Sequence, residues 1–187
     1  MLPSHPMRCN RQAGFTLVEI VIVMSLMGLM ATVGSQMITS VFTTTKLVSS
    51  TQASASQSRN ALERVARELR EIKYDSTLAV YAITSTLSPG ATSISFTRTI
   101  SGSDVIVTAG LSGSTLNLGY SPPNLTSTLL TGVTAFSMDF LTVNTSGALV
   151  ATTLPSAVRV VVLTLRTTDP TSGQSVSQST RVVLRNG

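Results

Sequence analysis

The sequence predicts an α+β protein in which one long N-terminal helix, able to cross a membrane with its first half, packs through its second half on an antiparallel β-sheet domain. Three observations carry that prediction. Phe15–Ile38 holds a single charged residue, Glu19. No Pro or Gly stands between Gly34 and Pro89, so nothing forces a helix to break there. Beyond Tyr74 the apolar period becomes two, in stretches rich in β-branched residues. These observations divide the chain into a leader at 1–14, a transmembrane helix at 15–38, a continuation of that helix at 39–74, and a β-rich domain at 75–187.

The leader carries Arg8 and Arg11 and no acid, which keeps this end cytoplasmic under the positive-inside tendency. The rest of the chain then faces the other side. In a secretory signal the apolar region precedes the cleavage site and is removed with it. Here the small residue Gly14 stands before the apolar run, so a peptidase cutting between Gly14 and Phe15 leaves the membrane segment on the mature chain. The segment 15–38 extends roughly 36 Å as a helix, enough to span a bilayer with some tilt. Glu19 is its anomaly, because a carboxylate costs on the order of 3 kcal/mol near the bilayer centre, less near an end, and calls for a partner. From the residues alone, Glu19 can pair with its own chain's new amino terminus, four residues away on the same helix face, or reach the interface.

The run Gly14-Phe15-Thr16-Leu17-Val18-Glu19 and the apolar residues after it resemble the type IV prepilin family, including the pseudopilins of type II secretion. The resemblance runs without a gap from Gly14 to about Ile38. It implies a pilin-like fold, cleavage after Gly14 by a prepilin peptidase, and N-methylation of Phe15. It also implies that Glu19 meets the amino terminus of a neighbouring subunit and sets its axial register. Gly28 falls where many major pilins have a glycine, whereas Gln36 occupies the position of their helix-kinking proline.

Composition narrows the chemistry. The 187-residue chain has net charge +5; without Arg8 and Arg11 it has 11 basic and 8 acidic residues, net +3, too mild to argue for nucleic acid. The one Cys, Cys9, and the one His, His5, both lie in the leader, and Trp is absent. A chain cut after Gly14 therefore lacks thiol nucleophiles, imidazole bases, disulfides and nearly all transition-metal ligands. No cofactor or metal is expected, and no enzymatic activity.

The second half of the helix is expected to lay Leu62, Val65, Ala66, Leu69 and Ile72 on a sheet as one apolar stripe, with Glu63–Arg67 and Arg67–Glu71 as i, i+4 pairs on its other faces. Strands are expected at Thr92–Arg98, Asp104–Thr108, Thr115–Tyr120, Val133–Thr142, Val158–Thr167 and Gln174–Arg185. The strand from Val158 is apolar on both faces, as a central strand covered on one side requires. Short turns favour antiparallel pairing.

The residues that suggest chemistry in this half have simpler readings. Gly110-Leu111-Ser112-Gly113 lacks the spacing of a nucleophile elbow. Asp104, Asp139 and Asp169 are scattered and read as turn residues rather than calcium ligands. Asn124-Leu125-Thr126 and Asn144-Thr145-Ser146 match a glycosylation sequon, a match that arises by chance in so Thr- and Ser-rich a chain. Arg159, Arg166, Arg181 and Arg185 read as a basic sheet edge that discourages edge pairing, without the aromatic platform of a nucleic-acid site.

The second half also resembles the larger minor pilins, namely the J-type pseudopilins and the PilW-like and MSHA-type biogenesis proteins. The residues that carry this are Arg67-Glu68-Leu69-Arg70, Gly132-Val133-Thr134-Ala135-Phe136 and Leu154-Pro155-Ser156-Ala157-Val158-Arg159-Val160. What this implies is an inner-membrane, single-pass minor pilin or pseudopilin whose C-terminal domain is periplasmic and later part of a pilus or pseudopilus. Its implied partners are other minor pilins or pseudopilins, the major pilin, the prepilin peptidase, the assembly platform and membrane lipid. A rival reading is a tip binding module, an adhesin or DNA receptor. A membrane-tethered enzyme is disfavoured by the missing His and Cys.

Overall fold

The fold is described from a computed structural model, for residues 14–170 and 172–185. One helix, α1, runs from Leu17 to Arg70 without interruption at Gln36. The chain forms two compact units, dividing after Lys46.

In the first unit the helix is a bare apolar rod. Its most apolar 18-residue window has a mean hydropathy of 2.2 and none of that window is buried. The hydroxyls within this apolar stretch are satisfied locally. Ser25 Oγ donates to the Val21 carbonyl at 2.8 Å, Thr32 Oγ1 to Leu29 at 2.7 Å, and Thr39 Oγ1 to Ser35 at 2.9 Å. Such back-bonding removes the cost of carrying a hydroxyl into hydrocarbon, so Ser and Thr do not disqualify the segment as a span.

In the second unit the remainder of α1 buries Ala61, Leu62, Val65, Ala66 and Leu69, the expected stripe. The helix stops at Arg70 rather than near residue 74. Glu71 and Ile72 close a tighter turn by bonding to the Glu68 and Leu69 carbonyls, and the Lys73 amide then donates to Thr97 at 2.8 Å. Pairing of Tyr74–Asp75 (β1) with Val80–Tyr81 (β2) claims the backbone that the helix would have used. The Tyr74 and Tyr81 rings meet edge to face at 5.2 Å between centroids.

The β domain contains two four-stranded antiparallel sheets. The first is a meander of β3 (Ser93–Ile100), β4 (Ser103–Ser112), β5 (Thr115–Ser121) and β6 (Leu125–Thr131). Ser101 and Gly102, both at positive φ, make the two-residue turn between β3 and β4, as a primed hairpin turn requires. Gly110 is needed where it stands, because a Cβ there would lie 2.7 Å from Ser93 Cβ in the neighbouring strand. The second sheet has the order β10 (Ser175–Val183), β9 (Val160–Thr168), β7 (Val133–Val143), β8 (Leu149–Ala151). The strand expected at Val158–Thr167 is β9, and it is central.

Reciprocal backbone bonds between Ala91 and Met138, 3.1 and 2.9 Å, tie the start of the first sheet to β7 of the second. Phe96, Ile94, Leu116 and Leu118 from one sheet and Phe136, Met138, Phe140, Leu163 and Leu165 from the other share a single core with the helix stripe.

Candidate functional site: the capped first turn of the membrane helix

Gly14, Phe15 and Thr16 precede the helix, which begins at Leu17. Thr16 is the N-cap. Its Oγ1 accepts from the Glu19 amide at 3.3 Å, and its carbonyl accepts from the Ile20 amide at 3.3 Å. Thr16-Leu17-Val18-Glu19 has the spacing of a capping box, a signal visible in the sequence that apolarity and charge alone do not bring out. The cap fixes where the first turn begins, and so where the Glu19 side chain projects. A carboxylate in the first turn also meets the positive end of the helix macrodipole, a favourable placement.

Glu19 is exposed, and among the described residues no cation pairs with it. Phe15, itself 79% exposed, shares a shallow groove on the helix surface with Glu19, Ile20, Val23, Met24 and Met27. Gly14 and Phe15 are thus open to approach beside an uncompensated carboxylate, on a rod whose other side chains in this stretch are apolar. A Cβ added at Gly28 or Gly34 would meet nothing within 4 Å, so neither glycine answers a packing need inside the chain. His5, Cys9, Arg8 and Arg11 lie outside the described residues.

The second carboxylate of note on α1 is one that pattern reading passed over. The expected Glu63–Arg67 and Arg67–Glu71 pairs do not form. Instead Glu68, 1% exposed, sits between helix and first sheet in a cluster of its own. Arg64 Nη2 reaches Glu68 Oε1 at 3.1 Å, the Tyr120 hydroxyl donates to the same oxygen at 2.9 Å, and Arg98 of β3 pairs with Oε2. Arg98 also reaches Glu71, at 2.5 Å, drawing Glu71 away from Arg67. Burial and the bond to Glu68 push the Tyr120 hydroxyl above its ordinary pKa. The helical register that put Glu68 beside the apolar stripe was legible; its cross-sheet partners were not.

The other candidates are structural. Asp104 opens β4 rather than a turn, and there it takes Lys73 Nζ at 2.5 Å and Thr99 Oγ1 at 3.0 Å. Those bonds hold its carboxyl below the usual range. Asp139 lies within β7 and accepts the Gly90 amide at 2.8 Å. Asp169 does stand at a turn, where it takes the Ser172 amide at 3.3 Å. No metal-ligating group of three His, Cys, Asp or Glu side chains occurs among the described residues. Gly110–Ser112 ends β4 and Gly113 turns into β5. The basic edge is corrected as well: Arg166 lies in the central strand β9, and only Arg181 lies within the edge strand β10.

The model of the prokaryotic N-terminal methylation motif matches residues 9–35, spanning the end of the leader, Gly14, the capped turn and most of the apolar rod. No curated protein matches the chain. The motif supports a type IV prepilin-like protein, and with the apolar helix it fits a membrane-anchored, single-pass chain. It implies processing by prepilin peptidase and assembly with other pilins.

Proposed function

We propose that this type IV pilin-like chain is a minor pilin or pseudopilin that helps to initiate or cap a pilus-like filament or a type II secretion pseudopilus. Prepilin peptidase cuts between Gly14 and Phe15, and the new amino group on Phe15 is methylated. Residues 15–38 hold the subunit in the inner membrane, while 39–74 continue the helix and 75–187 form the domain on the periplasmic side. The chain acts by assembly and carries no enzymatic activity of its own.

The observation that carries this reading is Glu19, a carboxylate on a capped first turn, exposed on an apolar helix and unpaired with any cation among the described residues. A bilayer makes such a group costly until a cation reaches it. The amino terminus of a neighbouring subunit is that cation, and its docking on Glu19 sets the axial register.

The test is Glu19→Ala in the full chain, measured by membrane fractionation and by recovery in sheared filaments. Membrane insertion stays at the wild-type level while incorporation falls at least about tenfold, the effect of losing roughly 1.4 kcal/mol of docking. Wild-type incorporation overturns the assignment. Deletion with parallel readouts of secretion, surface pili and DNA uptake then identifies the machine served.

A further inference from the structure

We infer that the outer face of the second sheet is a self-association surface, on which two copies of this chain pack across a two-fold axis running along β9. The pairing registers place Val183, Val160 and Leu141 in one row across β10, β9 and β7. The next row on the same face is Arg181, Val162 and Asp139. Alternation fixes which face this is, because Val161, Leu163 and Leu165 of β9 point into the core shared with the helix. The first row is open at its β10 end: Val183 is 64% exposed, Leu141 is half-buried and Val160 between them is buried at 9%, while the paired Val143 and Leu149 extend the apolar area at 51% and 42%.

The second row shows what covers the first. It carries a cation on β10 and an anion on β7, one on either side of Val162, and no ion pair joins them within the chain. A two-fold axis along β9 brings β10 of one copy over β7 of the other and leaves each residue at its own height along the strand. Arg181 then lies over the second copy's Asp139, and the reciprocal pair forms on the other side. Val183 lies over Leu141, and Val162, half-buried on the axis, lies over itself. Apolar meets apolar and each charge meets its opposite under a single operation. Two sheets packed in this way stand about 10 Å apart with their strands within about 30°. The pairing concerns two copies of this chain and holds for whichever filament the protein joins.

The experiment uses the full chain in its membrane with Cys9→Ser as background, so that an introduced cysteine is the only one. Val162→Cys, on the axis, is expected to give a covalent homodimer with a short bis-maleimide, whereas Ser175→Cys, at the far end of β10, is not. Among the described residues no ion pair holds the Arg181 side chain, so Arg181→Asp tests the contact between copies; it should lower the Val162→Cys cross-link about fivefold, as befits two pairs at the sheet surface turned repulsive. Adding Asp139→Arg, which also gives up the bond to the Gly90 amide, should restore the cross-link to within about twofold of the parent. Absence of the Val162→Cys homodimer, cross-linking only to other proteins, equal yields at the two cysteine positions, no response to Arg181→Asp, or failure of the double reversal to restore the yield each overturns the proposal.

Discussion

Glu19 and Glu68 are two carboxylates on one helix with opposite circumstances. Glu68 is 1% exposed and fully engaged, by two guanidinium groups and a phenol. Glu19 is exposed on an apolar surface and meets no cation within the described chain. Burial with complete pairing makes a charge part of the fold. Exposure on an apolar rod leaves a charge that no cation of the described residues meets. The difference separates a charge held by the fold from one left available for the docking proposed above.

Glu68→Ala breaks the comparison from the folded side and has the largest expected effect. It leaves Arg98, whose side chain is 17% exposed, without its main counter-ion at the helix–sheet contact. Removing one partner of a buried pair costs about 3 to 5 kcal/mol. Thermal or denaturant unfolding of the detergent-solubilised chain should show a correspondingly lower midpoint. A change below about 1 kcal/mol would mean that the cluster acts as a surface pair. Glu68→Gln is gentler and reports on charge alone. Burial is the largest cause of the raised Tyr120 pKa and the Glu68 carboxylate the next; with the carboxylate gone, burial and the opposing Arg64 remain and its titration should move down. Ultraviolet absorbance of the phenolate, with Tyr74 and Tyr81 as internal references, reads that movement.

The same contrast governs how much of the molecule was legible in the sequence. Periodicity found the Leu62–Leu69 stripe, the central strand β9 and the meander through β3, β4 and β5, because each buries a regular face. It missed β6, where Leu129 falls out of register between the Leu130–Leu116 and Thr128–Asn117 pairs and spoils the alternation. It missed β8 for its three-residue length, and β1 and β2 because two residues carry no period. Side-chain partners were the least legible. Same-helix spacing offered Arg67 to both Glu63 and Glu71, whereas Arg98, far along the chain, was the decisive cation for Glu68 and Glu71. Gly14, Phe15 and Glu19 were legible because their signal is local, a small residue, an apolar run and one charge in fixed order. The Thr16 cap was local too, and needed only the threonine-to-glutamate spacing to be read.

Glu19→Ala sharpens the other half of the contrast through what it leaves unchanged. The Thr16 cap accepts from the Glu19 backbone amide, which alanine retains. Only the favourable meeting of carboxylate and helix dipole is lost, worth about 0.3 to 1 kcal/mol. Unfolding of the second unit should therefore match the wild type within about 0.5 kcal/mol, on the side of the comparison where Glu68→Ala shows its full cost. A large loss of stability would place Glu19 among the residues the fold depends on.

The smallest effect belongs to Asp104 and Lys73, a pair that is charged like the Glu68 cluster and solvated like Glu19. Lys73 Nζ and Thr99 Oγ1 hold the Asp104 carboxyl below its usual range. A carboxyl whose pKa is lower folded than unfolded adds stability above the unfolded value, and that stability disappears as pH falls through the folded one. Because both side chains are open to water, at 44% and 49% exposure, added salt should screen most of the effect. Lys73→Met removes the bond that does most to lower it, so the Asp104 carboxyl, followed by NMR, should titrate closer to an ordinary aspartate, with Thr99 still holding it partly down. In the wild-type chain, high salt should move it in the same direction. A midpoint unmoved by either change would show that Lys73 does not hold Asp104, and exposure would then have defeated the pairing that burial secures at Glu68.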